Sequence, residues 1–235
     1  MFTVALIGPD GAGKTTITRR LQRELALPMK YVYLGINLET SNLVLPTTRL
    51  ILELKRARGG RPDMAGPRNL DGKPLPKNIV KRAAVEFKAA LRMTNQMAEE
   101  WFRQTVVWYY LQRGNIVLFD RHFLLDYYYY DVVPSGARPL GNRVHGFVLN
   151  HFYPRPDLVI CLDAPAEVLF ARKGEGTLES IERRRQEYLR LKNLVEKFVT
   201  VDASQPEAKV LQDVSEIIQA FYATRLTSAE KVLQS

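Results

Sequence analysis

The segment Gly8-Pro9-Asp10-Gly11-Ala12-Gly13-Lys14-Thr15 follows a short apolar run and leads straight into helix-forming residues. Its glycines, lysine and hydroxyl have the spacing of G-x-x-x-x-G-K-[ST], which is a spacing for phosphate. Glycines let successive backbone amides turn inward around phosphate oxygens, and the start of the next helix adds unpaired N–H groups and the positive end of its dipole. Gly8, Asp10, Gly11, Ala12, Gly13, Lys14, Thr15 and Thr16 would then form a nucleotide phosphate site. Lys14 would carry charge to the β- and γ-phosphates, and Thr15 would offer a hydroxyl to Mg²⁺.

A second group stands at the end of a later apolar run, where Asp120-Arg121-His122 closes residues 116–119. Ligands of open parallel sheets bind at the carboxyl ends of the strands, so this acid and base face the same cleft as the glycine loop. Asp120 could hold the water of a Mg²⁺ ion and Arg121 a second phosphate. No Asn/Thr-Lys-x-Asp segment is present, which argues against a GTPase, and no apolar run closes on Asp-Glu, as a motor ATPase would require. The pair favours phosphoryl transfer to an acceptor that is itself anionic.

The elements that must position these residues are readable from the apolar pattern. Continuous apolar runs at 3–7, 30–34, 116–119 and 158–162, with a weaker one at 198–201, predict strands buried on both faces. Helices are predicted at 14–26, 47–58, 77–112, 166–172, 178–197 and 207–222, the last opened by Ser204 and Glu207 as a capping box. Strand and helix in alternation predict one α/β domain over residues 1–235, with a parallel sheet covered on both faces. The 235 residues, 46% of them hydrophobic, are enough for a core that needs no disulfide or structural metal, and the single Cys161 reads as a small buried hydrophobe. No apolar stretch nears the roughly 20 residues of a membrane span, and no basic leader precedes the first strand, so a cytoplasmic protein is expected. Of the net charge of +9, the stretch from Lys55 to Arg82 carries most, with nine basic and two acidic residues. The rest is nearly neutral, which speaks against a nucleic-acid partner.

The chain resembles the thymidylate kinase family of P-loop nucleoside monophosphate kinases. The glycine loop with its internal Asp10 carries the resemblance, together with Asp120-Arg121-His122 and the run from Arg155 through Asp163-Ala-Pro to Ala171-Arg172-Lys173. Val201-Asp202-Ala-Ser-Gln-Pro is similar to the family's final strand and turn beside the adenine. The resemblance implies a P-loop kinase fold with a five-stranded parallel sheet, ATP and Mg²⁺ as cofactors, a homodimer as one compatible assembly, and a mobile lid at about 172–177. It implies Lys14, Asp120, Arg121 and Arg172 as catalytic residues, Thr15 and Asp120 on the metal, and a small anionic acceptor, foremost a nucleoside monophosphate. The alternatives are a sugar or glycan end as acceptor, or a nucleotide-binding module without catalysis. Lys14, Thr15, Asp120 and Arg121 are all intact, which favours catalysis.

The acceptor side departs from the family. Residues 36–85 have no counterpart and form a basic insertion. Gly35-Ile-Asn-Leu-Glu39 stands where the family has Arg-Glu-Pro-Gly, and Glu99, with Arg103 a turn later, stands near the place of its acceptor arginine. Leu124-Leu-Asp126 and four tyrosines, Tyr127 to Tyr130, replace Ser-Thr-x-Ala-Tyr-Gln. dTMP is therefore expected to be a poor acceptor. Residues 47–82 are expected to cover an acceptor cleft in preference to lying on a membrane. His122 is read as a substrate contact or a pocket wall, His145 and His151 as core or surface residues, and Asp163 as a helix cap. One of Arg183, Arg184 and Arg185 can face the phosphates, since neighbours on a helix lie 100° apart.

Overall fold

The structure, a computed structural model, describes residues 1–35, 41, 43–57, 79–133, 140–174 and 176–233. In chain order the elements are β1 (Thr3–Ile7), α1 (Lys14–Glu24), β2 (Met29–Tyr33), α2 (Pro46–Ala57), α3 (Ile79–Gln112), β3 (Ile116–Asp120), α4 (Phe123–Tyr127), a π-helical turn (Tyr128–Val132), α5 (Leu140–Phe152), β4 (Leu158–Asp163), α6 (Ala166–Lys173), α7 (Leu178–Arg190), a 3-10 turn (Leu191–Leu194), β5 (Phe198–Asp202) and α8 (Glu207–Leu233). The strands form one sheet in the order β2-β3-β1-β4-β5, every pair parallel. All five residues of β1 and of β3 are buried, which is why both read as unbroken apolar runs and not as alternating ones.

Alternation along β1 divides the core. Val4 and Leu6 pack with Ile17 and Leu21 of α1 and with Val214 and Ile218 of α8, while Ala5 and Ile7 pack with Val107 of α3, Leu124 of α4 and Leu149 of α5. Each large apolar side chain so buried stabilises the fold by about 1.5–3 kcal/mol. The register sets Asp120 opposite Leu6, and the Arg121 amide donates to the Leu6 carbonyl at 3.1 Å. Two strand ends that are far apart in sequence thereby open onto one cleft.

The sequence patterning located every strand. It placed the end of the last helix too early: α8 continues through residues 223–233, where no glycine or proline stops it. It broke down after β3, because α4 and α5 fall in a stretch where tyrosine and histidine blur the helical period. Gly146 of α5 lets that helix touch the π-helical turn, since a Cβ there would meet the Asp131 carbonyl oxygen at 1.9 Å. The predicted coverage of a cleft, or contact with a membrane, by residues 47–82 falls largely outside the described residues. Among those described, no helix is long and apolar enough to cross a membrane.

Candidate active site

The turn after β1 is shaped by what its glycines permit. Gly8 has φ 138°, and a Cβ on it would lie 2.2 Å from the Leu162 carbonyl oxygen, so the loop can pass β4 only as glycine. Gly13 caps α1 in the left-handed region, and a Cβ there would meet no described atom within 4 Å. The open space over the first turn of α1, with Thr15 and Thr16 exposed beside it, is where an anion is favoured by free amides and the helix dipole.

Lys14 is 5% exposed, and its Nζ donates to the carbonyls of Gly8 at 2.8 Å and Pro9 at 2.7 Å. Burial, then the nearby Arg121 guanidinium, lower its pKa to about 8, against the pull of Asp10, Asp126 and Asp120. Asp10 gathers the cations: Arg121 donates to Oδ1, Lys14 Nζ lies 3.8 Å from Oδ1, and Lys173 Nζ lies 3.4 Å from Oδ2. Burial alone would raise its carboxyl, but Arg121, Lys14 and Lys173 outweigh that and hold it well below the usual range. Arg121 has φ 70°, the one positive φ of a non-glycine among the described residues. Such a conformation costs on the order of 1 kcal/mol and collects where function requires it.

Asp120 is fully buried behind this cluster. Its Oδ2 accepts from the Tyr31 hydroxyl at 3.1 Å, and Oδ1 has no hydrogen-bond partner among the described residues. That oxygen, with the exposed Thr15 hydroxyl, is the hard-oxygen chemistry Mg²⁺ takes. Among the described residues no group of three or more His, Cys, Asp or Glu could hold a metal unaided. This fits an ion that brings phosphates and waters as most of its ligands.

Arg172 is placed elsewhere. It lies in the last turn of α6 and donates to the Ala203 carbonyl at 2.7 Å, in the turn after β5. With Gly11, Gly13, Thr16, Gln205 and Val210 it lines a cleft of about 270 Å³ alongside the phosphate loop. Its neighbour Lys173, which sequence reasoning passed over, is the α6 cation that meets Asp10. Asp163 does not cap α6, whose N-cap position is Pro165 with no side-chain cap, and both Asp163 oxygens bind Arg185, at 2.6 and 2.8 Å. Ser204 and Glu207 do not close a box either, since Ser204 donates to Asp202 and Glu207 pairs with Arg20 at 2.9 Å. Arg183 is exposed, and Arg184 donates to the Asp126 carbonyl and lies over the rings of Tyr130 and Tyr188.

Beside α3 and α5 several charged groups pair with one another, while the ring nitrogens of His122 and the Arg103 Nε have no hydrogen-bond partner among the described residues. Arg103, 0% exposed, is bound to Glu99 at 3.1 Å and to the Gly35 carbonyl at 3.1 Å. His145 has partners that sequence spacing hid, Asp131 on Nδ1 at 2.7 Å and Glu100 on Nε2 at 3.0 Å. His122 is wholly buried against the rings of Phe119 and Tyr153, and burial lowers its pKa to about 3, so it packs as a neutral ring. Tyr127 is buried and Tyr130 exposed.

The thymidylate kinase of Haemophilus ducreyi is 30% identical to this chain over 73% of the chain and 85% of the relative's length. The chain belongs to the thymidylate kinase family. The thymidylate kinase of Limosilactobacillus fermentum is 27% identical over 96% of the chain and 98% of its own length. With the "Probable thymidylate kinase" of Archaeoglobus fulgidus the identity is 33%, and the chain spans 57% of that relative's length. No family model matches the chain. The five-stranded parallel sheet with helices on both faces is the P-loop kinase fold that membership carries.

Arg172→Ala is expected to raise KM for ATP about tenfold and to leave kcat within threefold. Its guanidinium is bonded to the turn after β5, while the neighbouring Lys173 meets Asp10, so the loss is expected to fall on binding more than on the transition state. Steady-state kinetics with varied ATP checks this; a fall in kcat with KM unchanged would return Arg172 to the phosphate end.

Proposed function

We infer that this chain transfers the γ-phosphoryl group of ATP to a small acceptor bound beside the phosphate loop. The observation that carries the reading is the convergence of Lys14, Arg121 and Lys173 on Asp10 at the mouth of a glycine loop capping α1. Phosphoryl transfer needs little covalent work from the protein; it needs cations around the equatorial oxygens and in-line placement of the acceptor. The α1 amides would hold the β-phosphate. Lys14 and Arg121, released from the loop carbonyls and from Asp10, would meet the charge that builds on the transferred group. Mg²⁺, held through Thr15 and a water on Asp120, would neutralise the phosphate oxygens. The turn of Ala203 and Ser204, braced by Arg172, would lie at the base end of the nucleotide.

The relatives' names carry a nucleoside monophosphate acceptor, thymidylate. A second reading, an acceptor without a phosphate of its own, is favoured by Arg103, whose charge is already committed to Glu99 and to backbone carbonyls. A site lacking a partner group loses orders of magnitude against a substrate that needs it. dTMP is therefore expected to be turned over with kcat/KM below about 10⁴ M⁻¹s⁻¹, under the usual enzyme range. ADP release measured with dTMP, UMP, thymidine, glucose and glycerol tests both readings. Efficient dTMP turnover would favour the first, and no ATP binding at all would sink the kinase reading.

A further inference from the structure

Asp120 ends β3 as a fully buried carboxylate whose two oxygens are used unequally. Oδ2 accepts from the Tyr31 hydroxyl at 3.1 Å, and Oδ1 has no hydrogen-bond partner among the described residues. A buried carboxylate oxygen left without a donor is costly and calls for an explanation. The carboxylate is also tied down on one side only, and the tie comes from the neighbouring strand.

β2 lies beside β3 with Tyr31 opposite Leu118 and Tyr33 opposite Asp120. Side chains alternate along a strand, so Met29 and Tyr31 share one face of β2, and Leu118 and Asp120 share one face of β3. Met29 and Leu118 pack with Ile17 and Leu21 of α1, which puts Tyr31 and Asp120 on the side of the sheet that α1 covers. There the Arg19 side chain of α1 hydrogen-bonds the Tyr31 side chain. Burial, then the charge of Asp120 and the bond to it, raise the Tyr31 pKa well above the ordinary 10, and Arg19 offsets this only in part. A phenol that keeps its proton donates to the carboxylate and accepts from the guanidinium. The three groups therefore run in one direction, from Arg19 through Tyr31 to Asp120 Oδ2, and each bond polarises the next.

We propose that Tyr31 is a positioning residue of the Mg²⁺ site, which ties down Asp120 Oδ2 and so keeps Oδ1 as the oxygen offered to the ion's water. The assignment rests on the reading above, in which ATP binds with Mg²⁺ held through Thr15 and a water on Asp120. An untied carboxylate can exchange its two oxygens by rotating about its last side-chain bond. A donor on one of them removes that freedom before the ion arrives, which is how hydrogen-bonded groups behind a metal ligand raise affinity.

Calorimetric titration of the whole chain with ATP, in EDTA and in saturating Mg²⁺, tests this. The ratio of the two dissociation constants measures the coupling between ion and nucleotide. Tyr31→Phe keeps the ring and removes only the hydroxyl. The variant is expected to bind ATP in EDTA within about twofold of the wild type and to lose about tenfold of the tightening that Mg²⁺ gives the wild type. Its Tm should stay within about 4 °C, as for the loss of one hydrogen bond. Asp120→Asn should lose at least as much of the tightening, and adding Tyr31→Phe to it should change the ratio by no more than about twofold, because the hydroxyl acts through the carboxylate. Equal weakening in EDTA and in Mg²⁺, or a full further loss on top of Asp120→Asn, would make Tyr31 a general support of α1 and overturn the proposal. So would a ratio that Tyr31→Phe leaves unchanged, or a wild type that Mg²⁺ does not tighten. Failure of the phosphotransferase reading looks different: the wild type then binds ATP in neither condition.

Discussion

Lys14→Ala should lose turnover by about a hundredfold or more while the protein stays folded. The side chain contributes two hydrogen bonds to carbonyls of its own loop. Its loss should cost the fold no more than about 1–2 kcal/mol. In the transition state the same ammonium would face the charge that builds on the transferred group, and removing one such cation typically costs a few kcal/mol of barrier. The pH dependence carries a second sign of the role. Burial and Arg121 lower the Lys14 pKa to about 8, so the cation is present below that pH and lost above it. Binding of ATP by the free enzyme should weaken as pH rises through about 8, and the alanine variant should show no such limb. Turnover within threefold of the wild type would remove Lys14 from the donor site.

His145→Gln is expected to cost the fold on the order of 3 kcal/mol at pH 7, read from urea unfolding. The imidazole lies between the carboxylates of Asp131 and Glu100, with Gln96 also near Nε2 and the Tyr127 ring against it. Burial pulls its pKa down, but the hydrogen bonds and charges of Asp131 and Glu100 overcome that and raise it to about 9 from the ordinary 6.5. A raised histidine stabilises the fold most fully below its unfolded pKa, and that stabilisation is lost as pH climbs through the folded one. The stability difference between wild type and His145→Gln should therefore be largest below about pH 6.5 and shrink toward pH 9. Glutamine removes the cation that lies between two buried carboxylates, and such removals are costly even where the intact pair adds little. A difference that does not change with pH would mean that the ring is neutral and merely packed.

The sequence by itself determined the strands of the sheet and the glycine loop that follows the first of them. Unbroken apolar runs such as residues 116–119 read as strands covered on both sides, and a glycine loop next to Lys14 and Thr15 has one economical use of its amides. Both are local signals, written within a few consecutive residues. Relations across elements were decided only by the tertiary structure. Asp163 looked like a cap until α7 brought Arg185 to it, and His145 looked solitary until α3 and the π-helical turn supplied Glu100 and Asp131. Arg172 and Lys173 are adjacent in sequence, yet one faces the turn after β5 and the other Asp10, because successive helical side chains point about 100° apart. Asp126 carried one local sign, an acid among leucines and tyrosines. Its place beside Arg121 and its hydrogen bond from Tyr188, 62 residues away on α7, are set only in space. Charge pairing depends on distance in space, and distance in space is what a one-dimensional pattern of residue types does not carry.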